Sequence, residues 1–286
     1  MKIFDFKVSS TRLDTLDKNC YSFFEQKNYS NLPYKLTLNN NQLRKIQIQS
    51  DKPFNSIQKN QILSFIVEDV VTFVSKIDSN EINFIKGKLG DDTLIKYWLY
   101  HTFFPILLTF ESRYYFLHAG AVEIENTPVL FIADAFGGKS TMTDFFMKKG
   151  HTMISDDKVG TYEKDNLILS VPSYPYHRPY RKMEDLGLFV EDFAKDSKPI
   201  NCIFNLVKSD ENSDIFINKI SGIEKFKALK YATDIDLPIN QKQRFQSLTN
   251  IANKVDIYDI TIPWDLNRLE EVYQTIVEFI KNKKVI

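Results

Sequence analysis

Hydrophobic and polar positions alternate in short runs through residues 1 to about 90. Tyr34-Lys-Leu-Thr-Leu and Leu43-Arg-Lys-Ile-Gln-Ile repeat with a period of two, so this region reads as strand-rich. The polar patch Asn39 to Gln47 reads as a loop or an exposed strand. Between Ile57 and Ser75 the residues Ile62, Phe65, Ile66, Val70 and Phe73 fall at helical spacing and predict a helix. A second apolar helix is predicted over Thr93 to Phe110, bent or stopped by Pro105.

From Tyr114 onward the pattern is sharper. Tyr114 to His118 and Ala121 to Glu125 predict strands, with a turn at Asn126-Thr127-Pro128. Val129-Leu-Phe-Ile-Ala133 is a continuous apolar run, as expected of a strand buried on both faces. Asp134 to Gly138 predicts a loop, and Lys139 to Lys149 a helix with Met142, Phe145 and Phe146 on one face and Gly150 as its C-cap. His151 to Ser155 predicts the next strand, and His151 simply follows the helix cap. A hairpin is expected over Lys158 to Tyr162 and Leu167 to Val171. A proline-rich loop (Pro172 to Arg181) precedes a short helix near Met183 to Leu188. Strands at Ile200 to Val207 and Asp214 to Lys219, then helices at Ile223 to Tyr231 and Trp264 to Lys281, complete an α/β pattern. No linker is evident after about residue 95. The expected division is therefore a strand-rich region, 1–95, that recognises substrate or merely covers the sheet, and a core, 96–286.

Composition narrows the function. Lys plus Arg and Asp plus Glu are both 37, giving a net charge of zero, whereas nucleic-acid binders usually carry a basic excess. The longest uncharged stretch, Tyr97 to Phe110, is too short and too interrupted by His101 and Pro105 to span a bilayer. Neither a nucleic-acid nor a membrane partner is expected. The first residues lack an apolar signal core, and the two cysteines, Cys20 and Cys202, have no metal-type spacing; a reducing cytoplasm is the expected location. The chain has nine glycines, and five of them (Gly120, Gly137, Gly138, Gly150, Gly160) lie between residues 120 and 160. A chain this poor in glycine spends it where the backbone turns sharply or meets a ligand closely.

The chemistry-bearing residues lie in that same interval. A buried strand, then Ala133-Asp-Ala-Phe-Gly-Gly-Lys-Ser-Thr141, then a helix is the outline of a phosphate-binding loop. In it the backbone N–H groups of Asp134, Ala135, Phe136, Gly137, Gly138, Lys139, Ser140 and Thr141 face phosphate oxygens. The helix N-terminus adds positive potential, Lys139 reaches the outer phosphates, and the Ser140 hydroxyl ligates Mg²⁺. Ala133 stands where such loops usually begin with glycine, and Phe136 where a small residue is common. Asp156 and Asp157 follow Lys139 by 17 and 18 positions, at the end of the next predicted strand, which is expected to lie parallel and adjacent to the strand before the loop. There one carboxylate can help hold Mg²⁺ and the other can orient or deprotonate an attacking hydroxyl. Arg178 and Arg181 in the proline loop are candidates to clamp phosphate or substrate.

His118-Ala-Gly-Ala-Val, the Gly-Gly-Lys-Ser-Thr loop, Gly150-His151 and Ser155-Asp156-Asp157, in this order and spacing, resemble the catalytic domain of HPr kinase/phosphorylase. That family shares its core with phosphoenolpyruvate carboxykinase. The segment from Val171 to Arg181 with Leu186-Gly187, the Ile223 to Tyr231 helix and the final Trp-Asp-Leu element resemble the HPr-kinase-like enzymes of ribosomal-peptide tailoring, the lasso-peptide type included. The resemblance covers roughly residues 110 to 282. It implies an α/β P-loop core with a mixed sheet behind the strand-rich N-terminal region, and ATP with Mg²⁺ as cofactors. It also implies His118 at the transfer site, Asp156 as acid/base, Lys139 and Ser140 on the phosphates and metal, and Asp157 near the metal. The Glu-Ile-Arg-Gly-Leu-Gly type signature of enzymes acting on HPr does not follow Asp157. The acceptor is therefore expected to be a peptide or small protein other than HPr. The alternative is a non-catalytic nucleotide-binding scaffold. A GTPase is rejected on spacing: the interval from Lys139 to Asp156 holds one helix and one strand, with no room for a switch segment and a further strand. The sequence leaves homo-oligomerisation open.

Overall fold

The computed structural model describes residues 2–9, 19–38, 44–179 and 182–283, and the fold is mixed α/β. It divides into two units: residues 1–113 with 182–186 and 236–243, and the remainder. Among the described residues no helix is long and apolar enough to cross a membrane.

The first unit is strand-rich. Its strands are β1 (Lys2–Ile3), β2 (Phe6–Ser9), β3 (Cys20–Glu25), β4 (Tyr34–Leu38), β5 (Ile46–Ser50), β6 (Ile62–Val67), β7 (Val71–Lys76) and β8 (Glu81–Lys86). They form one sheet in the order β1-β2-β3-β8-β7-β6-β5-β4, antiparallel except where β3 meets β2 and β8. The helix expected over Ile57 to Ser75 is instead the β6–β7 hairpin, with Phe65 opposite Phe73. Helical spacing and strand alternation overlap in so short a run. Leu63, Phe65 and Val67 alternate as well, and Asp69 at φ +61° turns the chain where a helix would have continued. The predicted Thr93 to Phe110 helix exists as α1 (Asp92–Trp98) and α2 (Phe104–Phe110) joined by a π-helical turn, Leu99–Phe103. Pro105 is accommodated at the first turn of α2, where its missing N–H costs least, so it neither stops the chain nor breaks the apolar face.

The second unit carries the site. Its elements are β9 (Tyr115–His118), β10 (Gly120–Ile124), β11 (Thr127–Ile132), α3 (Lys139–Lys148), β12 (Met153–Ser155), β13 (Lys158–Lys164), β14 (Leu167–Val171), β15 (Tyr176–His177), β16 (Leu188–Phe189), β17 (Lys198–Pro199), β18 (Cys202–Ser209), β19 (Ile217–Lys219), α4 (Gly222–Tyr231), α5 (Gln241–Lys254), β20 (Asp256–Pro263) and α6 (Leu269–Lys283). The main sheet has the order β12-β10-β11-β18-β20-β19, with β11, β18 and β20 parallel and the other pairs antiparallel. A smaller sheet, β17-β14-β13-β9, packs beside it. β11 sits inside the main sheet and is buried on both faces. Leu130 and Ile132 join a core with Leu229 of α4 and Leu248 and Ile251 of α5, while Val129 and Phe131 join Met142 and Phe146 of α3 and Val272, Ile276 and Ile280 of α6.

Several expectations change here. β12 does not lie next to β11: β10 intervenes, paired to both. The turn after β10 falls at Glu125-Asn126, both at positive φ, and Thr127 and Pro128 already belong to β11. No helix forms near Met183 to Leu188, because Glu184 and Gly187 adopt φ +58° and +93° and Leu188–Phe189 pairs with Tyr176–His177 as β16 with β15. α5 and β20 carried no signal that stood out; α5 buries only Leu248 and Ile251 of its polar run.

At Gly120, β10 comes close to α3. A Cβ there would stand 2.1 Å from the Thr143 Oγ1 atom, whose hydroxyl donates to the Lys139 carbonyl. Gly120→Ala is expected to cost about 1–3 kcal/mol, read as a lower urea midpoint. Adding Thr143→Ala removes the colliding oxygen and should recover part of that loss; a double variant no more stable than Gly120→Ala alone would contradict the packing described.

Candidate active site

The chain leaves β11 at Ile132 and turns through Asp134 to Gly138 into α3. The Gly137 N–H donates to the Asp134 carbonyl at 2.9 Å. A Cβ on Gly137 would meet the Ala133 Cβ at 2.7 Å and the Asp134 carbonyl at 2.9 Å. The alanine at the head of the loop is thus accommodated because Gly137 opposite has no side chain. Gly138 enters the helix at φ +89°. Phe136 holds φ +60° and is 88% exposed, a strained setting for an aromatic residue and one typical of ligand-contacting loops. Asp134, Ala135 and Thr141 are exposed and Ser140 is half-buried.

Lys139 departs from expectation. Its side chain does not face solvent: it is 2% exposed, and its ammonium donates to the carbonyls of Ala133 (3.0 Å) and Asp134 (3.3 Å). A buried ammonium needs such acceptors, and the two carbonyls of the loop's own entry supply them.

The two aspartates follow β12 and are buried among partners from distant segments. Asp156 Oδ2 accepts from the Arg178 N–H at 2.9 Å. Asp156 Oδ1 lies 3.3 Å from His177 Nδ1, close enough for ionic attraction but not aligned as a hydrogen bond, and neither buried atom has a hydrogen-bond partner. The opposite ring nitrogen, His177 Nε2, is 3.3 Å from Asp144 Oδ1 on α3. His177 is therefore held between Asp144 and Asp156. Burial alone would raise the Asp156 pKa, yet the His177 imidazole and the Arg178 N–H outweigh it and hold the carboxyl below its ordinary value. Burial likewise works against a charged His177, but Asp156 and Asp144 together raise its pKa.

Asp157 faces the other way. Its carboxylate lies 3.2 Å from His118 Nδ1 and 3.3 Å from an Arg178 guanidinium nitrogen. The Asp157 carbonyl accepts from the Ala119 backbone N–H, and the His118 backbone N–H donates to the Ala232 carbonyl. Arg178 thus binds one aspartate with its backbone and the other with its side chain. Next to them, Lys158 pairs with both oxygens of Asp234 at 2.6 and 2.7 Å. Burial opposes the Lys158 charge, but Asp234 and Asp157 raise its pKa.

Of the residues singled out in the sequence, the structure gathers His118, Asp156, Asp157 and Arg178 into one cluster. That cluster touches α3 through His177 and Asp144, so it shares a helix with the Lys139–Ser140 turn. Arg181 lies outside the described residues. The sequence reading did not assign His177, Asp144, Lys158 or Asp234. For His177 the signal was present, one position before Arg178 in the proline loop; for Asp234 there was none.

Among the described residues no group of three or more His, Cys, Asp or Glu side chains is arranged to hold a metal. The donors named for Mg²⁺, the Ser140 hydroxyl and the Asp157 carboxylate, are hard oxygens, the chemistry magnesium takes when substrate phosphates complete its shell.

No known family profile matches the chain. Over 104 residues it is 31% identical to an HPr kinase/phosphorylase of Lactobacillus johnsonii, and to one of Lactobacillus gasseri to the same extent, covering 34% of this chain and 33% of each relative. The match is local. The chain spans about a third of the length of the curated relatives it matches. Among solved structures it is similar to an Hpr(Ser) kinase/phosphatase from Coxiella burnetii, with 17% identity, 59% of this chain and 96% of that chain covered, and a TM-score of 0.36.

The charges around His177 generate a pH prediction. Because the folded state raises its pKa, the stability from charged His177 is fully present below the ordinary value of 6.5 and is lost as pH rises through the elevated one. Asp156 contributes in the opposite sense: its share is present above 3.8 and is lost as pH falls through the lowered value. Wild type should exceed His177→Asn in stability most between those limits, with the difference shrinking toward alkaline pH. Chemical denaturation of both proteins across that range checks this; a pH-independent difference would contradict it.

Proposed function

We propose that this protein is an ATP-dependent phosphotransferase that places the γ-phosphate on a serine or threonine hydroxyl of a peptide or small protein. One observation carries the reading. The helix begun by Lys139 and Ser140 and the buried pair Asp156-Asp157 are parts of one construction, tied at Asp144–His177. The local similarity to HPr kinase/phosphorylase supports it.

In this reading the triphosphate lies on the backbone N–H groups of residues 134–141, with Lys139 leaving the loop carbonyls for phosphate oxygens. Mg²⁺ would be held by Ser140 and Asp157, and when bound it supplies charge neutralisation between the phosphates. Asp156 is ionised at neutral pH, and its Oδ1 has no hydrogen-bond partner. Oδ1 is buried against His177 Nδ1, so the acceptor's hydroxyl hydrogen reaches it only when the loop carrying His177 moves aside. As the hydroxyl oxygen bonds to the γ-phosphorus, the bond to the β–γ bridging oxygen breaks, ADP leaves and the proton passes to Asp156. So acidic a carboxylate is a weak base, which suits a loose transition state where orientation matters more than early proton transfer. His118 and Arg178 fix Asp157, and Arg178 brings positive charge to the transferring group.

The absence of the HPr-type signature after Asp157, with the resemblance to peptide-tailoring enzymes, supports an acceptor other than HPr. The residue types Ala133 and Phe136, where such loops carry glycine and a small residue, favour the non-catalytic alternative.

Asp156→Asn keeps size and loses the charge. It should lower turnover about 10²-fold or more while leaving the ATP dissociation constant within a few-fold. Lys139→Met, which keeps most of the buried stem, should instead abolish ATP binding by calorimetry. Near wild-type turnover of Asp156→Asn at saturating ATP and Mg²⁺ would select the scaffold reading. For the acceptor, mass spectrometry of candidate precursor peptides incubated with the protein and ATP should show added phosphate on Ser or Thr. Modification of HPr alone would overturn the peptide assignment.

A further inference from the structure

Two clefts flank the glycine loop, one on each face of the main sheet. The first, of about 290 Å³, meets the loop only at Ala133 and Asp134 and is lined by Glu224, Lys227, Tyr231 and Asp259 among others. Its carboxylates disfavour a polyanion and its wall holds no residue of the first turn of α3. The second, of about 220 Å³, opens against Gly137, Gly138, Thr141 and Met142, and its far wall is Leu206, Ile262, Trp264, Leu266 and Leu269.

The second cleft has the features of a site for a flat apolar ring. Trp264 is 42% exposed and Leu266 75% exposed, unusual for residues that large. The Trp264 ring edge stands 3.7 Å from where a Gly138 side chain would begin, so the indole directly borders the loop. The Trp264 backbone N–H donates to the Ser209 carbonyl, and the Lys208 ammonium lies over one face of the indole, 4.1 Å from its centroid. The floor is apolar, contributed by Met142, Leu206 and Ile262 from α3, β18 and β20.

We propose that this cleft binds the nucleobase of the nucleoside triphosphate, with Trp264 as the stacking surface and Leu266 closing its rim. The proposal rests on the phosphate-loop reading and extends it. On such a loop the α- and β-phosphates lie against the N–H groups at the start of the helix. Thr141, on the first turn of α3, lines the apolar cleft rather than the acidic one, so a nucleoside leaving the phosphates on that side would meet Trp264. The glycines at 137 and 138 leave the passage from loop to cleft open. Stacking on an aromatic face accepts any base, so the site holds the ring without strict choice between purines.

The test separates ring from phosphates. Binding of ATP and of inorganic tripolyphosphate, each with Mg²⁺, is measured by calorimetry on wild type, Trp264→Ala, Trp264→Phe and Leu266→Ser. Loss of stacking should weaken ATP about tenfold or more in Trp264→Ala, and Trp264→Phe should keep most of the affinity. Leu266→Ser changes an exposed residue and should fold even if Trp264→Ala does not; it should weaken ATP about threefold. Tripolyphosphate affinity should be unchanged in all three. The base assignment is overturned if wild type binds ATP no better than tripolyphosphate, or if the variants affect both ligands equally or neither. If wild type binds neither ligand, the phosphate-loop reading falls and the base site with it.

Discussion

Adjacent carboxylates cannot be buried side by side unless other groups neutralise and orient them, and Asp156 with Asp157 sets that condition for the whole second unit. Their partners are His118 at the end of β9 and His177 and Arg178 in the proline-rich loop. These segments are far apart in sequence. The loop after β14 must therefore fold back over β12, and Arg178 fixes its register by engaging Asp156 through its N–H and Asp157 through its guanidinium. Removing one member of such a pair strands the other charge in a low-dielectric setting, which costs about 3–5 kcal/mol.

The same logic governs the glycine loop. β11, apolar and buried on both faces, delivers Ala133 to the loop. Lys139 then folds its ammonium back onto the carbonyls of Ala133 and Asp134. The loop is held in shape by the side chain that would meet phosphate. In the proposed phosphate-binding reading, exchanging two neutral carbonyl acceptors for anionic phosphate oxygens would strengthen the hydrogen bonds of that ammonium. His177, between Asp144 on α3 and Asp156 after β12, couples the helix that begins with Lys139 to the carboxylate pair.

Much of this follows from neighbouring residues along the chain. The strand-rich beginning, the β11–loop–α3 succession, the β13–β14 hairpin and the acidic pair were legible, because each depends on short-range rules: a buried run, glycines at a turn, a capped amphipathic helix. Local rules failed where two periods coincide. Ile62 to Phe73 fits a helix and a hairpin alike, and only pairing with β5 and β8 chose the hairpin. Near Met183 the backbone at Glu184 and Gly187 excluded a helix that composition allowed. What tertiary structure alone decided was contact between remote residues. The insertion of β10 between β11 and β12, the burial of Lys139, the placement of His177 between two carboxylates and the meeting of Trp264 with Gly138 leave no periodic trace in the sequence. Each arises from long-range sheet order and charge compensation, and neither leaves a signal in the residues' near neighbours along the chain.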